Sequence, residues 1–145
     1  MANAEQKSMN SAADLFDGGL FRTQESKKTR LFFSSLRLLT LLSENEVVGA
    51  AYFAPEQVSH SLWNTYFLSV NKDSHRQGIG RHIMTHTEEL ARLNGINTLI
   101  VETSSLESFS RARSFYLSLG YVREAVIRDY YAPGENKIVF WKSLA

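Results

Sequence analysis

The chain has 145 residues, 43% of them hydrophobic and 21% charged, which suits a soluble globular domain long enough to bury a core. A formal net charge of +1 gives no reason to expect nucleic acid or a membrane surface as a partner, and the absence of cysteine excludes disulfides, thiolate nucleophiles and thiolate metal sites. No apolar run approaches the roughly 20 residues of a spanning helix. The polar start Met1–Ser11 lacks the apolar segment of a secretory signal, so a cytoplasmic location is expected.

In chain order, Met1–Ser11 is expected to be flexible, and Ala12–Phe21 ends on the turn signal Asp17-Gly18-Gly19. Gln24–Ser34 is predicted as a short helix with Lys27, Lys28 and Arg30 on its wet side. Leu36–Leu42 and Val47–Phe53, around Ser43-Glu44-Asn45-Glu46, read as a hairpin that Pro55 ends. The next strand is Leu62–Val70, whose Trp63, Tyr66, Phe67 and Val70 suit a buried pleated surface. A helix Gly78–Leu93 closes at Asn94-Gly95, and Leu99-Ile100-Val101 marks a buried strand over Asn97–Glu102. Glu107–Leu119 is predicted helical, its inward stripe being Phe109, Ala112, Phe115 and Leu119 with Tyr116 at the edge. Tyr121–Arg128 and Lys137–Lys142 are the last strands, joined by a loop over Asp129–Asn136. No repeat or linker interrupts the chain, so a single α/β domain over residues 1–145 is expected, with a parallel strand pair across the first helix.

The chemistry concentrates at His75-Arg76-Gln77-Gly78-Ile79-Gly80-Arg81, between a strand and a helix. Two glycines permit a tight turn that aims several N–H groups at one point, and the helix dipole adds positive potential there. Such a junction holds a diphosphate or a similar anion, with Arg76 and Arg81 at its rim. A dinucleotide fold is excluded, because the third glycine and an acidic ribose partner are missing. His82 and His86 stand four apart with Glu89 nearby, but they fall off the buried stripe and lack the His-Glu-x-x-His pattern, so they read as a solvated face and no metal is expected.

The segment Arg76-Gln77-Gly78-Ile79-Gly80-Arg81, taken with Ala112-Arg113-Ser114-Phe115-Tyr116-Leu117-Ser118-Leu119-Gly120-Tyr121, resembles the two motifs of the GNAT N-acetyltransferase superfamily. The resemblance implies an acyl-CoA N-acyltransferase fold: a mixed, mostly antiparallel sheet, splayed centrally and flanked by helices, here with a shortened N-terminal part. It implies acetyl-CoA as co-substrate. Backbone groups of Leu68, Ser69 and Val70 would pair with the pantetheine arm, the loop from Gln77 to Arg81 would cradle the diphosphate, and Tyr116 would reprotonate the leaving thiolate. His75 departs from the family, which carries Arg or Gln at that position, and Arg76 offers a substitute charge.

The acceptor side is less defined. An amine attacking a thioester must lose a proton, and Leu62–Val70 holds no carboxylate to take it. Glu102, at the end of a strand, is the candidate base, with a helix-capping or surface salt-bridge role as the alternative. Tyr130 and Tyr131 would line an acceptor pocket or a homodimer interface. Leu31-Phe32-Phe33 and Leu36-Arg37-Leu38-Leu39 offer apolar surface that a second subunit could cover. The expected activity is acetyl transfer from acetyl-CoA to the primary amine of a small molecule, by direct attack in a ternary complex. A protein or peptide acceptor and a non-catalytic acyl-CoA-binding module are the alternatives.

Overall fold

A computed structural model of the chain describes the backbone of residues 23–25 and 29–33 and all atoms of residues 38–145. The predicted features at Met1–Ser11 and Ala12–Phe21, Lys27 and Lys28, and Leu36 and Arg37 lie outside these residues. The fold divides into two compact units, and both β5 and α1 contribute to each.

The first unit is built on β1 (Thr23–Glu25), β2 (Thr29–Phe33), β3 (Leu38–Ser43), β4 (Glu46–Pro55) and the end of β5 (Leu62–Val70), in that strand order. The pairs β1–β2, β2–β3 and β3–β4 are antiparallel. The helix predicted over Gln24–Ser34 is therefore two strands, with β2 laid along β3 from Thr29↔Ser43 to Phe33↔Leu39. Leu31, Phe32 and Phe33 favour a pleated surface, and a neighbouring strand supplies the ladder that a lone short helix would forgo. The predicted hairpin turns through Glu44 and Asn45, both left-handed at φ 51° and 71°, as a two-residue hairpin needs. Strand β4 is buried almost continuously, with Val47, Val48, Ala50, Ala51 and Phe53 inside.

Helix α1 (Ile79–Leu93) begins in this unit and buries Ile83 and Met84 fully. Its approach to the sheet is set by Gly49. A β-carbon at that position would lie 2.7 Å from Ile83 Cδ1, 3.1 Å from Ile79 Cγ2 and 3.2 Å from the Ser69 carbonyl oxygen. Side chains of α1 thus rest directly on β4 backbone beside β5.

The second unit holds the start of β5, then β6 (Thr98–Ser104), β8 (Glu135–Ser143) and β7 (Val122–Ala132) in strand order. Strands β5 and β6 run parallel from Leu62↔Thr98 to Thr65↔Val101, and the pairs β6–β8 and β7–β8 are antiparallel. The expected mixed, mostly antiparallel sheet is present. Trp63, Leu99, Val101, Tyr121, Ile138 and Phe140 form the core. Tyr66 and Phe67 are not the buried pair that alternation suggested; both are half exposed. A single 3-10 turn, Glu107–Phe109, leads into α2 (Ser110–Ser118), and Arg113 ties it back by donating to the carbonyls of Ser104 and Leu106 at 2.8 and 2.7 Å. The loop expected over Asp129–Asn136 is instead the irregular tip of the β7–β8 hairpin. Asp129 adopts φ 54°, its N–H donates to Asn136 Oδ1, and its Oδ1 accepts from the Gly134 N–H.

A buried charge network braces this unit. Glu88 accepts two 2.9 Å hydrogen bonds from Lys142 Nζ and one of 3.1 Å from the Tyr121 hydroxyl, and Lys142 also donates to the Leu119 carbonyl at 2.8 Å. Among the described residues no helix is long and apolar enough to cross a membrane.

Gly49→Ala should destabilise the protein by about 1–3 kcal/mol, because the β-carbon must displace Ile83 or the backbone at Ser69. Urea unfolding checks this, and an unchanged midpoint would mean that α1 can ride outward at no cost.

Candidate active site

In the first unit the chain passes from β5 to α1 through a loop pinned at several points. Past Val70, the Asn71 N–H donates to the Val48 carbonyl at 2.8 Å, and Asn71 Oδ1 caps the 3-10 turn Lys72–Ser74 by accepting from the Asp73 N–H. His75 Nε2 donates to the Val70 carbonyl at 2.9 Å, and Gln77 Nε2 donates to the Asp73 carbonyl at 3.3 Å. The departure at His75 thus has a structural role: its ring closes the loop onto the end of β5 and engages the Val70 carbonyl. The reversal itself is made by Arg76 and Gly78, left-handed at φ 61° and 78°. Gly80 does not share that duty, since it already lies within α1.

The first helical bond runs from the His82 N–H to the Gly78 carbonyl at 2.9 Å. The amides of Gly78, Ile79 and Gly80 precede it, so they have no acceptor within the helix. With the helix dipole they make the start of α1 electropositive, and Arg76 and Arg81 are exposed beside it. On the preceding strand, the ladder to β6 reaches only Thr65, whereas β5 continues through Leu68 and Ser69 to Val70. The histidines of α1 do not form the solvated face expected of them. His86 is buried, its Nδ1 lies 3.3 Å from the His82 carbonyl, and the two rings meet at a tilt with centroids 4.8 Å apart. Among the described residues no group of His, Cys, Asp and Glu could hold a metal ion.

In the second unit Tyr116 is the buried residue of α2, not an edge residue. The predicted stripe is kept in part: Ala112, Phe115 and Leu119 are half-buried, but Phe109 is 43% exposed and Tyr116 only 7%. The cause is packing, since the Tyr116 ring meets those of Tyr121 and Phe140 at 6.1 and 5.8 Å. Burial pushes its phenol up to about 12, so the hydroxyl remains protonated across the neutral range.

Glu102 forms a 2.8 Å salt bridge to Lys137, a buried lysine whose Nζ also sits 3.6 Å above the Tyr130 ring. Burial opposes the Lys137 charge, but hydrogen bonds to Glu102 and Tyr130 outweigh it and hold the ammonium above the usual lysine range. Tyr130 and Tyr131 meet edge to face at 4.9 Å, each about half exposed. A second carboxylate, Glu56, accepts from Asn64 Nδ2 at 2.8 Å and from the Tyr66 hydroxyl at 3.0 Å. Burial raises the Tyr66 phenol, and the Glu56 hydrogen bond and the charges of Glu56 and Glu102 raise it further. Sequence reasoning missed Glu56 and Lys137. Glu56 belongs to no motif, and Lys137 reaches Glu102 only because the β6–β8 register sets Val139 opposite it and Lys137 two residues along the same face.

Comparison with known proteins fits this arrangement. Residues 34–123 match the family described as an acetyltransferase (GNAT) domain. The chain is 29% identical over 96 residues to the [ribosomal protein bS18]-alanine N-acetyltransferase of Escherichia coli K12, a match covering 66% of this chain and 62% of that protein's length. Among solved structures, the ribosomal-protein-S18-alanine N-acetyltransferase from Escherichia coli superposes with a TM-score of 0.66 at 19% identity, over 95% of this chain and 89% of that one. An aminoglycoside 6'-N-acetyltransferase complexed with coenzyme A superposes with a TM-score of 0.69 at 16% identity, over 83% and 75%. With its family match spanning well over half of the sequence, the chain belongs to the GNAT acetyltransferase family, whose members use acetyl-CoA.

Proposed function

We propose that this protein transfers an acetyl group from acetyl-CoA to an amine, and that the acceptor is the α-amine of a protein or peptide. The observation that carries the donor half is the Arg76–Gly78 turn, which leaves the first amides of α1 directed at an anion of diphosphate chemistry. Leu68 and Ser69 offer β5 backbone for the pantetheine amides, Val70 contributes less because its carbonyl is engaged by His75, and Gln77 to Arg81 hold the diphosphate. The peptide acceptor is favoured by the relationship to a protein-alanine acetyltransferase. A small-molecule amine is the second reading, favoured by the fold shared with an aminoglycoside acetyltransferase.

In the proposed reaction the neutral amine nitrogen forms a bond to the thioester carbonyl carbon, the carbon–sulfur bond breaks, and CoA leaves as its thiolate. Glu102, oriented by its salt bridge to Lys137, receives the proton that the neutral amine gives up. Tyr116 meets the leaving sulfur as a hydrogen-bond donor. Full transfer from a phenol near 12 to a thiolate of ordinary basicity, about 8.5, would be uphill by roughly 3.5 pK units, so the hydrogen bond does the stabilising and solvent completes protonation.

Two measurements test this. Acetyl-CoA at about 100 times its Kd should stabilise the fold by about 2.7 kcal/mol, a rise in melting temperature of about 5 °C or more. No rise at millimolar ligand would remove the donor assignment. Tyr116→Phe should lower kcat about 100-fold while leaving acetyl-CoA affinity within about twofold. Because the Tyr116 phenol is raised to about 12, the wild-type rate should show no alkaline loss from this group below about pH 11. An unchanged kcat in the Phe variant would take Tyr116 out of the mechanism.

A further inference from the structure

We infer that Glu56 is the carboxylate that docks the acceptor's protonated amine, held in place by Asn64 and Tyr66; this rests on the proposed acetyl transfer to an amine. The argument begins with charge. Glu102 is matched by Lys137 at 2.8 Å, whereas Glu56 is held by two neutral donors, the Asn64 amide at 2.8 Å and the Tyr66 hydroxyl at 3.0 Å. Among the described residues no cation pairs with Glu56. A carboxylate held by neutral groups keeps its full charge available to an incoming cation.

A second observation concerns Asn64. Its side chain is 1% exposed, and because a carboxylate can only accept, the amide nitrogen must face Glu56. Its carbonyl oxygen Oδ1 is then a buried acceptor with no partner. Both donors here, the Asn64 amide and the Tyr66 hydroxyl, are already spent on Glu56, and the same Asn64 amide carries the unpartnered acceptor. A primary ammonium, with three N–H groups and one positive charge, is the complement of that set; a carboxylate or phosphate is repelled by it.

The surroundings agree. The charges of both Glu56 and Glu102 act on the Tyr66 hydroxyl. Asn64 and Tyr66 lie on the same face of β5, two residues apart, and Glu56 reaches both from the segment just before the strand. The ammonium is thus received at Glu56 in its charged form and releases one proton to solvent before attack, and the neutral amine gives up its second proton to Glu102 as the new bond forms.

Glu56→Gln tests this, since it keeps the shape and an acceptor oxygen for Asn64 while removing the charge. With Ala-Ala-Ala-Ala-amide as acceptor at pH 7, KM for the peptide should rise at least about tenfold and KM for acetyl-CoA should not move. The ratio of variant to wild-type KM should fall toward one as pH rises from 7 to 9.5, because the peptide α-amine, with a pKa of about 8, loses its charge over that range. A merely structural role would give a ratio independent of pH, and that result, or no change in KM, overturns the inference. Calorimetry without acetyl-CoA separates this from the catalytic reading. The free peptide should bind the wild type at least about tenfold more tightly than the variant, and the N-acetylated peptide should bind both alike. Equal binding of the free peptide to both proteins refutes Glu56 docking whether or not acetyl transfer is detected.

Discussion

Where α1 meets the sheet, there is no room for a β-carbon on Gly49, and the rest of the donor half depends on that contact. Ile83 and Ile79 of α1 and the Ser69 carbonyl of β5 all converge on the backbone at this glycine. The close approach fixes the height of the helix over β4 and β5, and therefore where its first amides lie. The loop between is tied at both ends, by the Asn71 amide to Val48 and by the His75 ring to Val70. The left-handed residues Arg76 and Gly78 then have little freedom to redirect the turn. A turn held this way is preorganised, so a ligand at the start of α1 would not need to supply the ordering entropy.

The second unit is organised by how its buried carboxylates and phenols are partnered. Glu88 is a structural brace, because Lys142 and Tyr121 saturate it and join α1 to the last strands. Glu102 is charge-balanced by Lys137 at 2.8 Å. Glu56 is held but not neutralised. Tyr116, packed against the rings of Tyr121 and Phe140, keeps its proton and so can only donate. Three carboxylates and one phenol thus receive different duties from their neighbours, though nothing in their residue types separates them.

Much of this was readable in the sequence where a period or a turn signal was strong. Leu62–Val70 is a strand with the expected bounds, and the helix expected over Gly78–Leu93 starts one residue later. The Glu44-Asn45 turn falls where the polar interruption placed it. The failures have physical causes. Residues 24–25 and 29–33 form strands because their ladders outweigh a weak helical pattern. The face of α2 was misread because a nine-residue helix has too few turns for an apolar stripe to be decisive, and ring packing with Tyr121 and Phe140 chose Tyr116. The tip of the last hairpin looked like a loop because its order comes from Asp129 and Asn136 side chains bonding the backbone. Glu56 and Lys137 were invisible, since their partners are fixed by strand register and not by spacing along the chain.

The central claim, that the start of α1 receives the diphosphate of acetyl-CoA, is tested most directly by amide NMR during titration with CoA and with pantetheine, which lacks the diphosphate. The account predicts that CoA shifts the amides of Gly78, Ile79 and Gly80 more than any others in the loop, and that pantetheine leaves these three in place. Shifts of the same size with pantetheine, or none at these amides with saturating CoA, would contradict it.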